Sequence, residues 1–282
     1  MKKLFTIMLV ACGLWAEAQI QTPQASPAAT VSTVVGLTDV KVTYSRPRMK
    51  GRKIFGEGAD ALVQYGKIWR TGANNGTRIS FSEDVKVEGK DVPKGEYLIF
   101  SWPGATEWTI SLYKDLELGG NTADYDASKE VANFKVKSEK WVEKTEAFTV
   151  EIADIASNSA SAKVQLLWEN TSVKFTVAVD FDSKVMKAIE SATASSGGTY
   201  YAAASYYFDN GKDLKKALEW VTIAANQNTS AFWIWLLKAR IQKALGDKKG
   251  AIESATASRA AAEKASNADY VKMNDDLIKS LK

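Results

Sequence analysis

Over the first two thirds of the chain, hydrophobic residues alternate with polar ones; over the last third they recur at helical spacing. Period-two runs occur at Val40, Val42 and Tyr44, at Ile79 and Phe81, at Val85 and Val87, at Tyr97 and Ile99, and at Trp108, Ile110 and Leu112. They resume at Phe148, Val150 and Ile152, at Ala162, Val164, Leu166 and Trp168, and at Val173, Phe175, Val177 and Val179. Successive side chains of a strand face opposite ways, so each run predicts a half-buried strand. Turn-forming text separates them, at Glu88-Gly89-Lys90, Pro93-Lys94-Gly95, Pro103-Gly104 and Ser157-Asn158-Ser159. Short alternating runs without helical text between them predict an antiparallel, jelly-roll-like β-sandwich over residues 31–181. One stretch, residues 47–76, lacks the alternation and is polar and glycine-rich, as functional or end-covering loops are.

From Asp182 the period becomes helical, with breaks expected at Gly197-Gly198, Asn210-Gly211, Gly246 and Ser266-Asn267. Residues 213–219 (DLKKALE) and 247–253 (DKKGAIE) match at a 34-residue offset, the helix–turn–helix period of tetratricopeptide repeats. Ala217, Val221 and Ala224 share one helix face and let a neighbour approach closely; Ala251, Ala255 and Ser258 repeat the pattern more weakly. Two copies are fewer than a free-standing solenoid needs. The helices are therefore expected to pack on the sandwich, on a protein partner, or on a capping helix near 268–281. The fold class expected is α+β and multidomain: a β-sandwich, then a tetratricopeptide-like region over residues 182–282.

The amino terminus predicts export. Lys2 and Lys3 precede an apolar run, and Ala16-Glu17-Ala18 supplies an A-x-A cleavage site, so residues 1–18 read as a signal peptide cut after Ala18. The run is shorter than the ~20 residues that span a bilayer, and no transmembrane segment is expected. Residues 19–30, rich in Gln, Pro, Ala and Ser, read as a flexible leader. The expected location is the periplasm or the exterior. A competing reading makes Leu9-Val10-Ala11-Cys12 a lipobox with a lipidated Cys12.

Composition removes much chemistry. There is no histidine, and Cys12 is the only cysteine. Ser-His-Asp and Cys-His catalysis, imidazole or thiolate metal sites, haem ligation and disulfides therefore have no residues in the exported chain. No cofactor or metal site is expected. With 37 Lys+Arg against 33 Asp+Glu, the net charge of +4 is no nucleic-acid footprint.

The basic residues nonetheless concentrate in the irregular stretch. YSRPRMKGRKIFG (44–56) and LVQYGKIWRTGANNGT (62–77) bring together Arg46, Arg48, Lys50, Arg52, Trp69, Arg70 and Asn74, with Lys53 and Lys67 nearby. Guanidinium groups grip carboxylates and phosphates bidentately, and a tryptophan face beside amides suits a sugar. These seven residues are the candidate binding site for an anionic or glycan-like ligand. The opposing reading makes the same loops a plug, with Trp69, Ile54 and Phe55 in the core and the arginines satisfying loop carbonyls.

These two stretches resemble the exported bacterial family catalogued as domain of unknown function 2911. The resemblance rests on Tyr44-Ser45-Arg46-Pro47, Lys50-Gly51-Arg52, Ile54-Phe55-Gly56, Tyr65-Gly66 and Trp69-Arg70-Thr71-Gly72-Ala73-Asn74. Gly89-Lys90, Pro93, Gly95, Tyr97 and Glu107-Trp108-Thr109 extend it, while Gln64 stands where proline is the expected residue. It covers about residues 30–180 and implies an exported β-sandwich, with no activity attached. The leading expectation is a non-catalytic binding or scaffold protein of the cell envelope. The alternative is a glycan-type hydrolase using Glu57, Asp60, Glu83 or Asp84; a Ser45 activated by Lys50 or Lys53 is a lesser variant.

Overall fold

A computed structural model describes residues 22–191 and 197–282 of the chain. The expected signal peptide, its cleavage point and Cys12 lie outside the described residues. The strands are β1 (Ala28–Val35), β2 (Thr38–Ser45), β3 (Lys53–Gly56), β4 (Ala61–Gln64), β5 (Thr77–Phe81), β6 (Val85–Val87), β7 (Lys90–Val92), β8 (Gly95–Trp102), β9 (Glu107–Tyr113), β10 (Glu130–Ala153) and β11 (Ser161–Val179). Nine of them form one sheet in the order β1-β2-β5-β8-β9-β10-β11-β6-β7, and every pairing in it is antiparallel. The helices are α1 (Asp182–Ser191), α2 (Gly197–Asp209), α3 (Leu214–Gln227), α4 (Phe232–Ala244), α5 (Lys248–Lys264) and α6 (Ala268–Lys279). The class is α+β, as the two periodicities predict. Among the described residues no helix is long and apolar enough to cross a membrane.

The sheet folds on itself through one long strand. The first part of β10 pairs with β9, from Glu130 to Lys137, and the remainder pairs with β11. Both halves then enclose a single apolar core, to which β2 contributes Val40 and Val42, β9 Trp108 and Ile110, and β11 Phe175 and Val177. Tyr44 of β2 reaches across to β10, edge-on to Phe148 and donating its hydroxyl to the Val150 carbonyl at 3.4 Å. Burial in β2 follows the predicted alternation, with Thr38, Val40, Val42 and Tyr44 inward and Asp39 and Lys41 outward.

Three elements differ from expectation. The two runs ending at Trp168 and beginning at Val173 are one strand, β11. Its inward residues change from even to odd numbers because Glu169 sits at φ 55° and the β10–β11 register shifts between Lys140 and Thr145. A bulge of that kind moves every following side chain to the other face, which the alternation alone reads as a break. Residues 47–76 are not wholly irregular, since β3 and β4 form a separate two-stranded parallel pair. Strand β1 begins at Ala28, inside the expected leader, and Pro27 accepts the Arg46 N–H at 2.9 Å.

Two of the helices begin on the same kind of cap. Asp213 and Asp247, 34 residues apart, each accept backbone N–H groups of the helix they start. A side-chain carboxylate there satisfies donors that the first turn leaves unpaired. Ala217, Val221 and Ala224 of α3 and Ala251, Ala255 and Ser258 of α5 are all fully buried. The expected break at Gly197-Gly198 is instead the start of α2. Helix α1 is tied to both sides: Lys184 pairs with Glu83 at 2.8 Å, and Asp182 accepts hydrogen bonds from Lys212 and Tyr206.

Candidate functional site

The loop after β2 is fastened to β10 by its backbone. Phe148 donates its N–H to the Pro47 carbonyl at 2.9 Å, and Met49 donates to the Glu146 carbonyl at 2.8 Å. The Lys50 N–H goes to the Glu146 carboxylate (2.9 Å) and the Ile54 N–H to that of Glu169 (3.3 Å). Two acidic side chains of the long strands are thus engaged by loop amides. The loop between β4 and β5 is fastened to β8, where Trp69 and Ser101 exchange backbone hydrogen bonds at 2.8 and 2.9 Å.

Trp69 closes this end of the core. It is 8% exposed and packs edge-on against Phe55, Trp108 and Phe148, and parallel to Trp168 at 5.8 Å between ring centroids. Its indole N–H is donated to the Gly72 carbonyl at 3.2 Å. Trp69 therefore has no free face for a sugar to stack on, and it serves as the floor beneath the loops.

Above that floor lies a cavity of about 690 Å³ lined by Arg48, Lys50, Arg52, Arg70 and Asn74, with Trp69 and Trp168 below and Leu62 at the edge. Six of the seven candidate residues meet there. The seventh, Arg46, lies outside the lining, because its guanidinium is spent on the Phe148 carbonyl (3.3 Å) and the Thr149 hydroxyl (2.9 Å). The four cations of the lining differ in what holds them. Arg52 donates to the carbonyls of Met49 (3.0 Å) and Arg48 (2.7 Å), and Arg70 to that of Asn74 (3.2 Å). Neither guanidinium meets an acid. The side chains of Arg48 and Lys50 make no hydrogen bond or ion pair, and no carboxylate lines the cavity.

The backbone here adopts costly conformations. Lys50, Thr71 and Asn74 have φ of 50°, 50° and 56°, and Thr71 is β-branched, for which the left-handed region is a true outlier. Thr71 is held there from several sides: its hydroxyl meets that of Ser101 at 2.8 Å, and its carbonyl accepts from Thr77. Strain held by such bonds clusters at ligand-holding sites. Gly72 follows at φ +136°, where a side chain would be strained. Asn74 donates its amide to the Ser45 hydroxyl at 3.1 Å, which places Ser45 in the support of the loop.

The carboxylates near the motif stand elsewhere. Asp60 pairs with Lys53 at 3.1 Å, and that hydrogen bond holds its pKa below the usual carboxylate value. Glu83 pairs with Lys184, and Asp84 accepts the Lys94 N–H at 2.8 Å. Among the described residues no group of three or more acidic, Cys or His side chains is placed to hold a metal ion.

Sequence reasoning missed two contributors. Trp168 is seen only as the end of a strand run, and nothing local says it shares a floor with Trp69. Gly120 lies under the Asn74 turn, where a β-carbon would collide with the Asn74 carbonyl and fall 2.9 Å from the Arg70 side chain; only the fold brings residue 120 to residues 70 and 74.

Fold and site together define an antiparallel β protein with a helical tail and a loop-built cationic cavity. The chain belongs to the family described as Protein of unknown function (DUF2911), whose sequence model matches residues 26–177. No curated protein matches the chain.

Proposed function

We propose that this is an exported, non-catalytic binding protein whose cavity takes an anionic ligand bearing a carboxylate or phosphate group. The observation that carries the reading is charge without a partner: Arg48, Lys50, Arg52 and Arg70 line one cavity that no carboxylate lines. Like charges held together are unfavourable unless a counter-charge arrives, and guanidinium groups match the geometry of oxyanions. Leu62, exposed at the edge of the cavity, favours a ligand with an apolar portion beside its anionic group.

Export to the periplasm or exterior, with cleavage after Ala18, is part of the same proposal and rests on the amino-terminal text. The helical tail, read as tetratricopeptide-like from its 34-residue recurrence, would serve as a scaffold toward a protein partner. The hydrolase alternative finds no support in the positions of Glu57, Asp60, Glu83 and Asp84, none of which lines the cavity.

Calorimetric titration of the exported chain tests the reading, with inorganic pyrophosphate and an aromatic sulfonate as probes. One saturable site is expected, weakening as salt rises toward a Debye length of ~10 Å and below. An Arg48→Ala/Arg70→Ala double variant is expected to stay folded and lose that site. Equal binding by the double variant, or none by the parent, refutes the proposal.

A further inference from the structure

We propose, building on the anion-binding reading above, that the ligand is a soluble phosphate monoester whose phosphoryl oxygens are held by Arg70 and by the backbone N–H groups of Gly72, Ala73 and Asn74. The donors it needs are those the protein leaves unused. Arg70 gives one Nη1 bond to the Asn74 carbonyl, at 3.2 Å, and its Nε and Nη2 groups make none. Those two groups share one edge of the guanidinium, an edge that meets two oxygens of an oxyanion side by side. The residues that follow line the same cavity. Among the described residues no acceptor meets the N–H of Gly72, Ala73 or Asn74. Gly72 is buried, and a buried amide without an acceptor is rare. Successive amides in a turn with left-handed residues, as Thr71 and Asn74 are here, build many phosphate sites.

Charge selects phosphate among the oxyanions. Arg48, Lys50, Arg52 and Arg70 line the cavity, and no carboxylate does. A carboxylate or a sulfonate answers them with a single negative charge. A phosphate monoester brings about −1.5 to −2 at pH 7 and three strong acceptor oxygens. One guanidinium edge holds two of those oxygens, which leaves the loop amides a third to bind. Arg48 and Lys50, whose side chains make no bond, are free to meet the anion from the other loop. At about 690 Å³ the cavity has room for a whole small molecule, and Leu62, 45% exposed at its edge, offers the ester's organic group an apolar contact.

Calorimetry of the exported chain with phenyl phosphate, benzenesulfonate and benzoate, which share one aryl group, tests this. Phenyl phosphate is expected to bind at least ~10-fold more tightly than either monoanion at pH 7. The chain has no histidine, so between pH 7 and 5 phenyl phosphate binding should weaken with the ligand's own second ionisation, at about 6. Benzenesulfonate binding should stay flat over that range. Arg70→Lys keeps the charge but loses the fork, and is expected to weaken phenyl phosphate at least ~10-fold with unchanged circular dichroism. Vesicles containing phosphatidic acid present the same group on a membrane, and the chain is expected not to sediment with them. Equal affinity for the three probes, a flat phenyl phosphate profile, or full binding by a folded Arg70→Lys variant leaves an anion site and overturns the phosphate assignment. Sedimentation with the vesicles overturns the soluble ester, and no saturation by any probe overturns both readings.

Discussion

Replacing Trp69 by alanine separates the two roles that the loop residues divide between them. Trp69 is 8% exposed and touches four other aromatic rings, at centroid distances from 5.4 Å (Phe148) to 6.0 Å (Trp108). A buried indole removes roughly 150–250 Å² from water, worth about 4–6 kcal/mol at ~25 cal/mol/Å². Measured Trp→Ala and Phe→Ala changes in cores cost about 3–5 kcal/mol, and that is the expected loss. Arg70→Ala removes one hydrogen bond to the Asn74 carbonyl, expected to cost about 1 kcal/mol. Urea denaturation followed by far-UV circular dichroism reads both, with the slope checked for constancy. A Trp69→Ala loss below ~1 kcal/mol would refute its role as a plug. An Arg70→Ala loss as large as that of Trp69→Ala would make the guanidinium a structural group and remove it from the ligand site.

Three further outcomes are expected. Gly120→Ala drives a β-carbon into the Asn74 backbone carbonyl as well as the Arg70 side chain, so the loop must shift with no change of charge; urea denaturation should show lost stability and calorimetry weaker anion binding, with Arg48 and Lys50 intact. Asp213→Ala and Asp247→Ala each lose a helix cap and should cost about 1 kcal/mol in thermal denaturation, leaving anion binding unchanged. The Asp182 carboxyl is held below its ordinary value by hydrogen bonds from Lys212 and then Tyr206. Its contribution is therefore present above the unfolded carboxylate pKa of ~3.9 and lost as pH falls through the lower folded value. Parent and Asp182→Asn melting temperatures should differ at neutral pH and converge in acid.

The strands with one buried face were legible because alternation is a local property: β2 and β5 stand where Val40 and Ile79 placed them. The folded-over sheet was not, because β11 changes face at Glu169 through a bulge that depends on its partner strand. Strand β8 was readable at Tyr97 and Ile99, but its second buried face was not: Leu98 and Phe100 pack in a second small cluster with Tyr113 and Tyr125, and burial on both faces hides period two. At the site, the clustering of Arg48, Lys50, Arg52 and Arg70 was readable from composition alone. What each side chain does was not: Arg46 is consumed by Phe148 and Thr149, and Arg48 is free, although only Pro47 stands between them. Those fates are set by β10, about a hundred residues away.

The cavity itself is best interrogated by an anomalous scatterer. In a crystal soaked with tungstate, the anion is expected between Arg48, Lys50 and Arg70, within hydrogen-bonding distance of at least two of them. Tungstate sites elsewhere on the surface with none in the cavity, or these cations found paired with the protein's own carboxylates, would contradict an anion-binding site.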